Sequence, residues 1–102
     1  MRSIYDSVWQ FMKQKIYENW VEIDLEAIRT NIRLIRKISG CPVIAVIKAN
    51  AYGHGVLSVA QAAMDAGSNF FAVARFCEAM ELRNAGFQNP ILLFGRLSPK
   101  DA

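Results

Sequence analysis

The chain contains a single histidine, His54, and only two cysteines, Cys41 and Cys77, which stand in no CxxC or other metal-ligand spacing. A zinc centre built from three or four nitrogen and sulfur donors is therefore not expected, and no metal is assigned. The two thiols read as small buried or half-buried side chains of a cytosolic protein. No stretch of about 18 uncharged apolar residues occurs, so no membrane-spanning helix is expected. The first residues do not make a signal peptide, because Asp6, Lys13 and Lys15 interrupt their apolar content and no small-residue cleavage site follows. Basic residues are scattered among acids and the net charge is a mild +3, which leaves no basic stripe for nucleic acid. Neither G-x-G-x-x-G nor a P-loop is present, which argues against a dinucleotide or nucleoside-triphosphate site.

What is present is globular. Apolar residues make up 53% of the 102 and charged residues 21%, and that length allows one domain at most. The most informative stretch runs from Val43 to Gly55. Five apolar residues, Val43 to Ile47, have the composition of a strand buried on both faces, as in a parallel sheet. The run stops at Lys48. A small-residue loop follows, and a helical pattern begins at Val56. The carboxyl ends of parallel strands are where sites are built. A lysine desolvated there has its pKa pushed down and becomes a candidate amine nucleophile toward a carbonyl. The plainer alternative is a lysine that has left the sheet and points into water.

The rest of the chain falls around this stretch. Residues 1–19 form an extension of helical pattern, with Tyr5, Val8, Trp9, Met12 and Ile16 on one stripe. It suits a partner, an interface or simply its own domain. Trp20 to Ile23 is a short strand candidate. Asp24 is a suitable N-cap for a helix to about Ile38, with Leu25, Ile28, Ile32, Ile35 and Ile38 on the apolar face and Arg29, Arg33, Arg36 and Lys37 opposite. Gly40 and Pro42 end it. A second helix spans about Val56 to Ala66 and buries Val59, Ala60, Ala63 and Met64. Strand Phe70 to Ala74, helix Phe76 to Ala85 and strand Ile91 to Phe94 follow, with Gly67 and Gly86 as stops. This βα alternation builds a parallel sheet with right-handed crossovers. Over three units, a doubly wound fold and a (β/α)8 barrel read alike.

The segment Lys48-Ala49-Asn50-Ala51-Tyr52-Gly53-His54-Gly55 resembles the cofactor-attachment segment of the alanine racemase family. These are pyridoxal-phosphate enzymes with a barrel as their N-terminal domain. The resemblance extends from about Trp20 to the end, through Trp20-Val21-Glu22-Ile23-Asp24-Leu25 and Glu78-Ala79-Met80-Glu81-Leu82-Arg83, and leaves out residues 1–19. It selects the barrel: an α/β fold holding the first three βα units of a TIM-type (β/α)8 barrel, incomplete, over residues 20–102. Three strands cannot close a barrel of eight.

The resemblance implies racemisation of a small amino acid, L-alanine to D-alanine, for the cell wall, in a cytoplasmic homodimer. It makes Lys48 the catalytic residue and the covalent holder of pyridoxal 5'-phosphate. Tyr52 is implied as a hydrogen-bond donor to the cofactor phosphate. His54 and Asn50 are possible supports of the pocket, against the alternatives of a structural histidine and an asparagine that satisfies the turn. In the family the opposing base is a tyrosine from the other subunit's C-terminal domain, and most other cofactor ligands come from later strands. None has a matching position here, so little activity is expected from these residues alone. Two further readings stand beside this one: a racemase for serine or lysine, and a non-catalytic module that binds the cofactor or a protein partner. One departure is local. Where relatives cap the helix before Glu78 with Ser or Thr, this chain has Arg75-Phe76-Cys77, a lost cap of about 1 kcal/mol.

Overall fold

The computed structural model describes residues 19–101. The helix expected over residues 1–19 lies, apart from Asn19, outside the described residues.

The helix α1 is Leu25–Ser39. Asp24 starts it in extended backbone, its Oδ1 accepting the Ala27 N–H at 3.0 Å. Gly40 ends it at φ 65, a left-handed C-cap whose N–H returns to the Arg36 carbonyl. Its apolar stripe is used for only half its length. Leu25, Ile28 and Ile32 pack on the core, whereas Ile35 and Ile38 are exposed. The reason lies in its neighbour, α2, Val56–Asp65. Arg29 of α1 already pairs with Asp65, the last residue of α2, at 3.4 Å. Arg36, two turns further on, still reaches Ala66 O just past the end of α2 at 3.2 Å, and the last turn of α1 after it is exposed among the described residues.

The strands are β1 (Ile44–Val46), β2 (Phe70–Val73) and β3 (Ile91–Leu93), parallel and in that spatial order. Ile44 registers with Phe70 and Phe71 with Ile91. They are shorter than expected, but single bonds prolong the ladder: Ile47 N–H to Ala72 O and Phe94 N–H to Val73 O, both 2.9 Å. The third helix, α3, is Phe76–Asn84.

The two faces of the sheet differ. Ile47, Phe71 and Val73 are buried under α2 and α3, with Ala45, Ile91 and Leu93 packed against them. On the other face Ile44, Val46, Phe70, Leu92 and Phe94 are exposed, and only Ala72 of the central strand is buried. The expectation of strands buried on both faces is thus corrected. An apolar sheet face needs a second layer, and among the described residues the helices form only one. In a closed barrel that second face is the interior.

Both crossovers close in the same way. Gly67, at φ 92, donates to Met64 O while Ser68 N–H reaches Ala63 O; Gly86, at φ 96, donates to Arg83 O while Phe87 N–H reaches Leu82 O. Each is a Schellman motif that turns the chain back toward the sheet. The residues it delivers are then fixed. Ser68 is buried with its hydroxyl donating to Val43 O at 2.8 Å, and Phe87 meets Phe71 edge-on at a centroid distance of 5.8 Å.

Trp20 to Ile23 forms no strand. The described residues hold one sheet, made of β1–β3, and this segment does not join it. Cys41 and Cys77 are both exposed, against the expectation of buried or half-buried thiols. Cys41 follows the glycine that ends α1, and Cys77 lies in the first turn of α3, so neither is drawn into the core.

Candidate active site

Lys48 stands at the carboxyl end of β1, half-buried, immediately after the buried Ile47. The residues after it are not an irregular loop. Lys48–Tyr52 makes one helical turn, and Ala49, Asn50 and Ala51 have φ/ψ near 54/47, with Tyr52 at φ 57 and Gly53 at φ 84. Five consecutive residues are therefore left-handed, and four of them carry a side chain. Each non-glycine residue in this conformation costs roughly 1–2 kcal/mol, so the turn is strained and must be held from outside.

Backbone bonds hold part of it. Ala51 N–H reaches Ile47 O at 3.0 Å, and Gly53 N–H is shared between Ala49 O and Asn50 O, each at 3.1 Å. The Ala51 methyl is buried in the core beside Ile47 and Val56. Side chains hold the rest. Asn50 Oδ1 accepts the Val56 N–H at 2.9 Å, which satisfies a free donor at the start of α2, where Gly55 has no side chain to offer. The His54 ring bonds Ala51 O through Nδ1 at 2.9 Å, so Nδ1 carries the proton and donates. The Glu78 carboxylate accepts the Ala49 N–H with one oxygen and, with the other, the N–H groups of Ala74 at 3.0 Å and Arg75 at 2.8 Å.

That environment acts on Glu78. Desolvation pushes its carboxyl up, but the three backbone donors from Ala49, Arg75 and Ala74, together with the Arg75 charge, outweigh it and hold the group below its ordinary value. Glu78 also supplies what Arg75 cannot. A guanidinium has no acceptor, so α3 lacks an N-cap side-chain bond, and the Glu78 end of a capping box takes the Arg75 N–H instead.

The four residues singled out in the sequence are thus brought to one turn, with two orientations. The Lys48 Nζ lies 5.9 Å from the centre of the Tyr52 ring, within cation–π reach, and Tyr52 is 60% exposed at the same end of the sheet. Asn50 and His54 have their side-chain atoms engaged on backbone. Glu78 and Ser68 were missed. For Glu78 the available signal was an acid at the third position of a helix, which the absence of Ser or Thr at Arg75 obscured.

Residues 23–102 match the family described as alanine racemase, N-terminal domain. The chain belongs to this family. An alanine racemase of Desulforamulus reducens is 54% identical over 90 residues, 86% of this chain and 24% of the relative. The crystal structure of alanine racemase from Bacillus anthracis with bound L-Ala-P is similar at a TM-score of 0.75 and 45% identity, over 80% of this chain and 22% of that one. A histidine racemase from Leuconostoc mesenteroides is similar at a TM-score of 0.69 and 34% identity, over 74% of this chain and 21% of that one. The chain spans under a quarter of the length of the curated relatives it matches. The three parallel strands and their helices described above are the corresponding N-terminal part of the racemase TIM-type barrel, and the barrel is incomplete here.

Proposed function

We propose that this chain is the N-terminal part of a pyridoxal-phosphate-dependent amino-acid racemase that converts L-alanine to D-alanine, and that Lys48 bears the cofactor. The observation that carries the reading is the placement of Lys48: a half-buried primary amine at the carboxyl end of a parallel strand, beside the phenol of Tyr52, on a turn held in a costly conformation. The donor set fits the group. Pyridoxal phosphate needs an amine for its aldehyde and hydroxyl or N–H donors for its phosphate, and Lys48 and Tyr52 offer one of each.

When bound, the cofactor supplies an electron sink for charge developing at the substrate Cα. The chain's own residues do the rest of their share. Lys48 would hold the cofactor through Nζ, and the same amine, when free, would exchange a proton with one face of the substrate Cα. Tyr52 would donate its phenolic O–H to the phosphate. Racemisation needs a second acid/base group on the opposite face, since one base returns the proton to the side it came from. That group, the remaining cofactor ligands and the dimeric assembly belong to the longer protein. So do the cytoplasmic setting and the supply of D-alanine to the cell wall.

A second reading concerns the substrate. The likeness to a histidine racemase over the same units supports a fold segment that serves more than one amino acid. Residues that choose the side chain would then lie outside it. The test of the main reading is a titration with pyridoxal phosphate followed by absorbance. The wild-type chain develops the visible band of a lysine adduct, and Lys48→Ala does not. An equal band in both contradicts the assignment.

A further inference from the structure

We infer that Glu78 is a positioning residue for Lys48: its carboxylate, carried on α3, clamps the backbone of the lysine-bearing turn to the carboxyl end of β2. The inference rests on the reading of Lys48 as the cofactor-bearing amine.

The geometry is that of a bridge between two strand ends. Oε1 accepts from Ala74 and Arg75, which follow β2, and Oε2 accepts from Ala49, which follows Lys48 after β1. On the other side of Lys48, Ile47 is buried and its N–H is bonded to Ala72 O at 2.9 Å. The lysine backbone is therefore fixed by both of its neighbours, and both fixings run to β2 or its end. Only the side chain keeps its freedom. This matters because Ala49 is the first of five left-handed residues, and without its partner the strain of the turn favours unwinding from that end. A displacement of the turn by about 1 Å at the reacting amine is enough to lose much of the benefit of a preset geometry.

The residue type is demanding. An ionised carboxylate accepts at both oxygens, whereas glutamine presents an oxygen at one position and an NH2 at the other. Two N–H groups converge on Oε1 and one on Oε2, so the amide oxygen of Glu78→Gln goes to the pair and its NH2 faces the Ala49 N–H. The clamp on Ala49 is broken while the α3 side is kept. Glutamate also serves α3 as a cap substitute, a purely structural role that must be separated. Arg75→Ser does this by giving α3 an N-cap hydroxyl of its own without restoring any bond to Ala49.

The experiment compares the 102-residue chain, Glu78→Gln, and Glu78→Gln combined with Arg75→Ser. Amide hydrogen exchange across Ala49–Gly53 is read first. Both variants are expected to exchange there about tenfold faster or more, with the α3 amides protected as in the wild type in the double variant. Each chain is then incubated with pyridoxal phosphate, whose aldehyde condenses with Lys48 Nζ with loss of water, and borohydride delivers hydride to reduce the resulting C=N bond. Mass mapping of the reduced adduct is expected to give Lys48 occupancy lowered about fivefold or more in both variants. Unchanged exchange at Ala49–Gly53 in Glu78→Gln overturns the clamp, as does recovery of Lys48 labelling on adding Arg75→Ser. If Lys48→Ala captures as much cofactor as the wild type, the cofactor reading fails instead, and the exchange result still decides the clamp.

Discussion

Arg36 of α1 lies across Gly67 at the end of α2. Its Nη1 stands 2.0 Å from where a Cβ on that glycine would be, and the same atom donates to Ala66 O at 3.2 Å. The absent side chain thus lets an arginine from the neighbouring helix cap the last turn of α2, at a residue whose φ of 92 already favours glycine.

Gly67→Ala is accordingly expected to destabilise the chain by about 1–2 kcal/mol, from the left-handed backbone and the displaced guanidinium together. In the Arg36→Ala background the steric part disappears and about 1 kcal/mol remains. Urea denaturation of the four chains measures both numbers. Strict additivity of the two substitutions would rule out the contact.

The left-handed turn and the burial of one of its residues predict different outcomes for two alanines with the same backbone. Ala49 is exposed at φ 51, whereas Ala51 is buried at φ 54. Glycine relieves the strain at either position. At Ala51 it also removes a packed methyl, which offsets the gain by roughly 0.8 kcal/mol or more. Ala49→Gly should therefore be the more stable of the two by about 1 kcal/mol in thermal or urea unfolding. Equal midpoints would count against the burial of Ala51, and an Ala49→Gly midpoint below that of the wild type would count against the left-handed turn.

Glu78 should give the fold a pH dependence on the acid side. Its carboxyl is held below the ordinary value, so at mildly acid pH the unfolded chain binds the proton more readily than the folded one. The contribution is complete above the ordinary glutamate range and is lost as pH falls through the folded value. The positive group facing the carboxylate is Arg75. Unfolding midpoints measured from neutral to acid pH should fall more steeply for the wild type than for Glu78→Gln, and parallel curves would refute the linkage.

Tyr52→Phe removes the one phenolic donor placed beside Lys48 and leaves the exposed ring. Loss of a hydrogen bond to a charged phosphate amounts to about 1.5–3 kcal/mol. Cofactor affinity should fall roughly tenfold to a hundredfold, with Lys48 still the labelled lysine. Unchanged affinity would place the phosphate elsewhere.

Much of the fold could be read from residue order. Asp24, Gly40, Gly67 and Gly86 punctuate the helices where they were expected to, because caps and left-handed stops act locally. The parallel βα order followed from the three apolar runs. The turn after Lys48 was not legible. Alanine has no intrinsic preference for φ near 54, so Ala49 and Ala51 gave no local sign of a conformation imposed by Glu78, Asn50 and the core. The exposed sheet face was missed for a related reason. Ile44, Val46 and Leu92 have the composition of buried strand residues, and composition cannot say whether the layer that covers them is present. Lys48 and Tyr52 could be singled out as candidates because their motif is contiguous, and the structure sets the Lys48 Nζ 5.9 Å from the Tyr52 ring. Glu78 could not be, because it lies 29 residues from the amide it holds.

Of the five lysines, Lys48 is the one proposed to hold pyridoxal phosphate. Borohydride reduction of the chain with one equivalent of the cofactor, followed by peptide mapping, tests it most directly. An adduct concentrated on Lys48 is expected, with little on Lys13, Lys15, Lys37 or Lys100. Labelling spread evenly over all five, unchanged by Lys48→Ala, would contradict it.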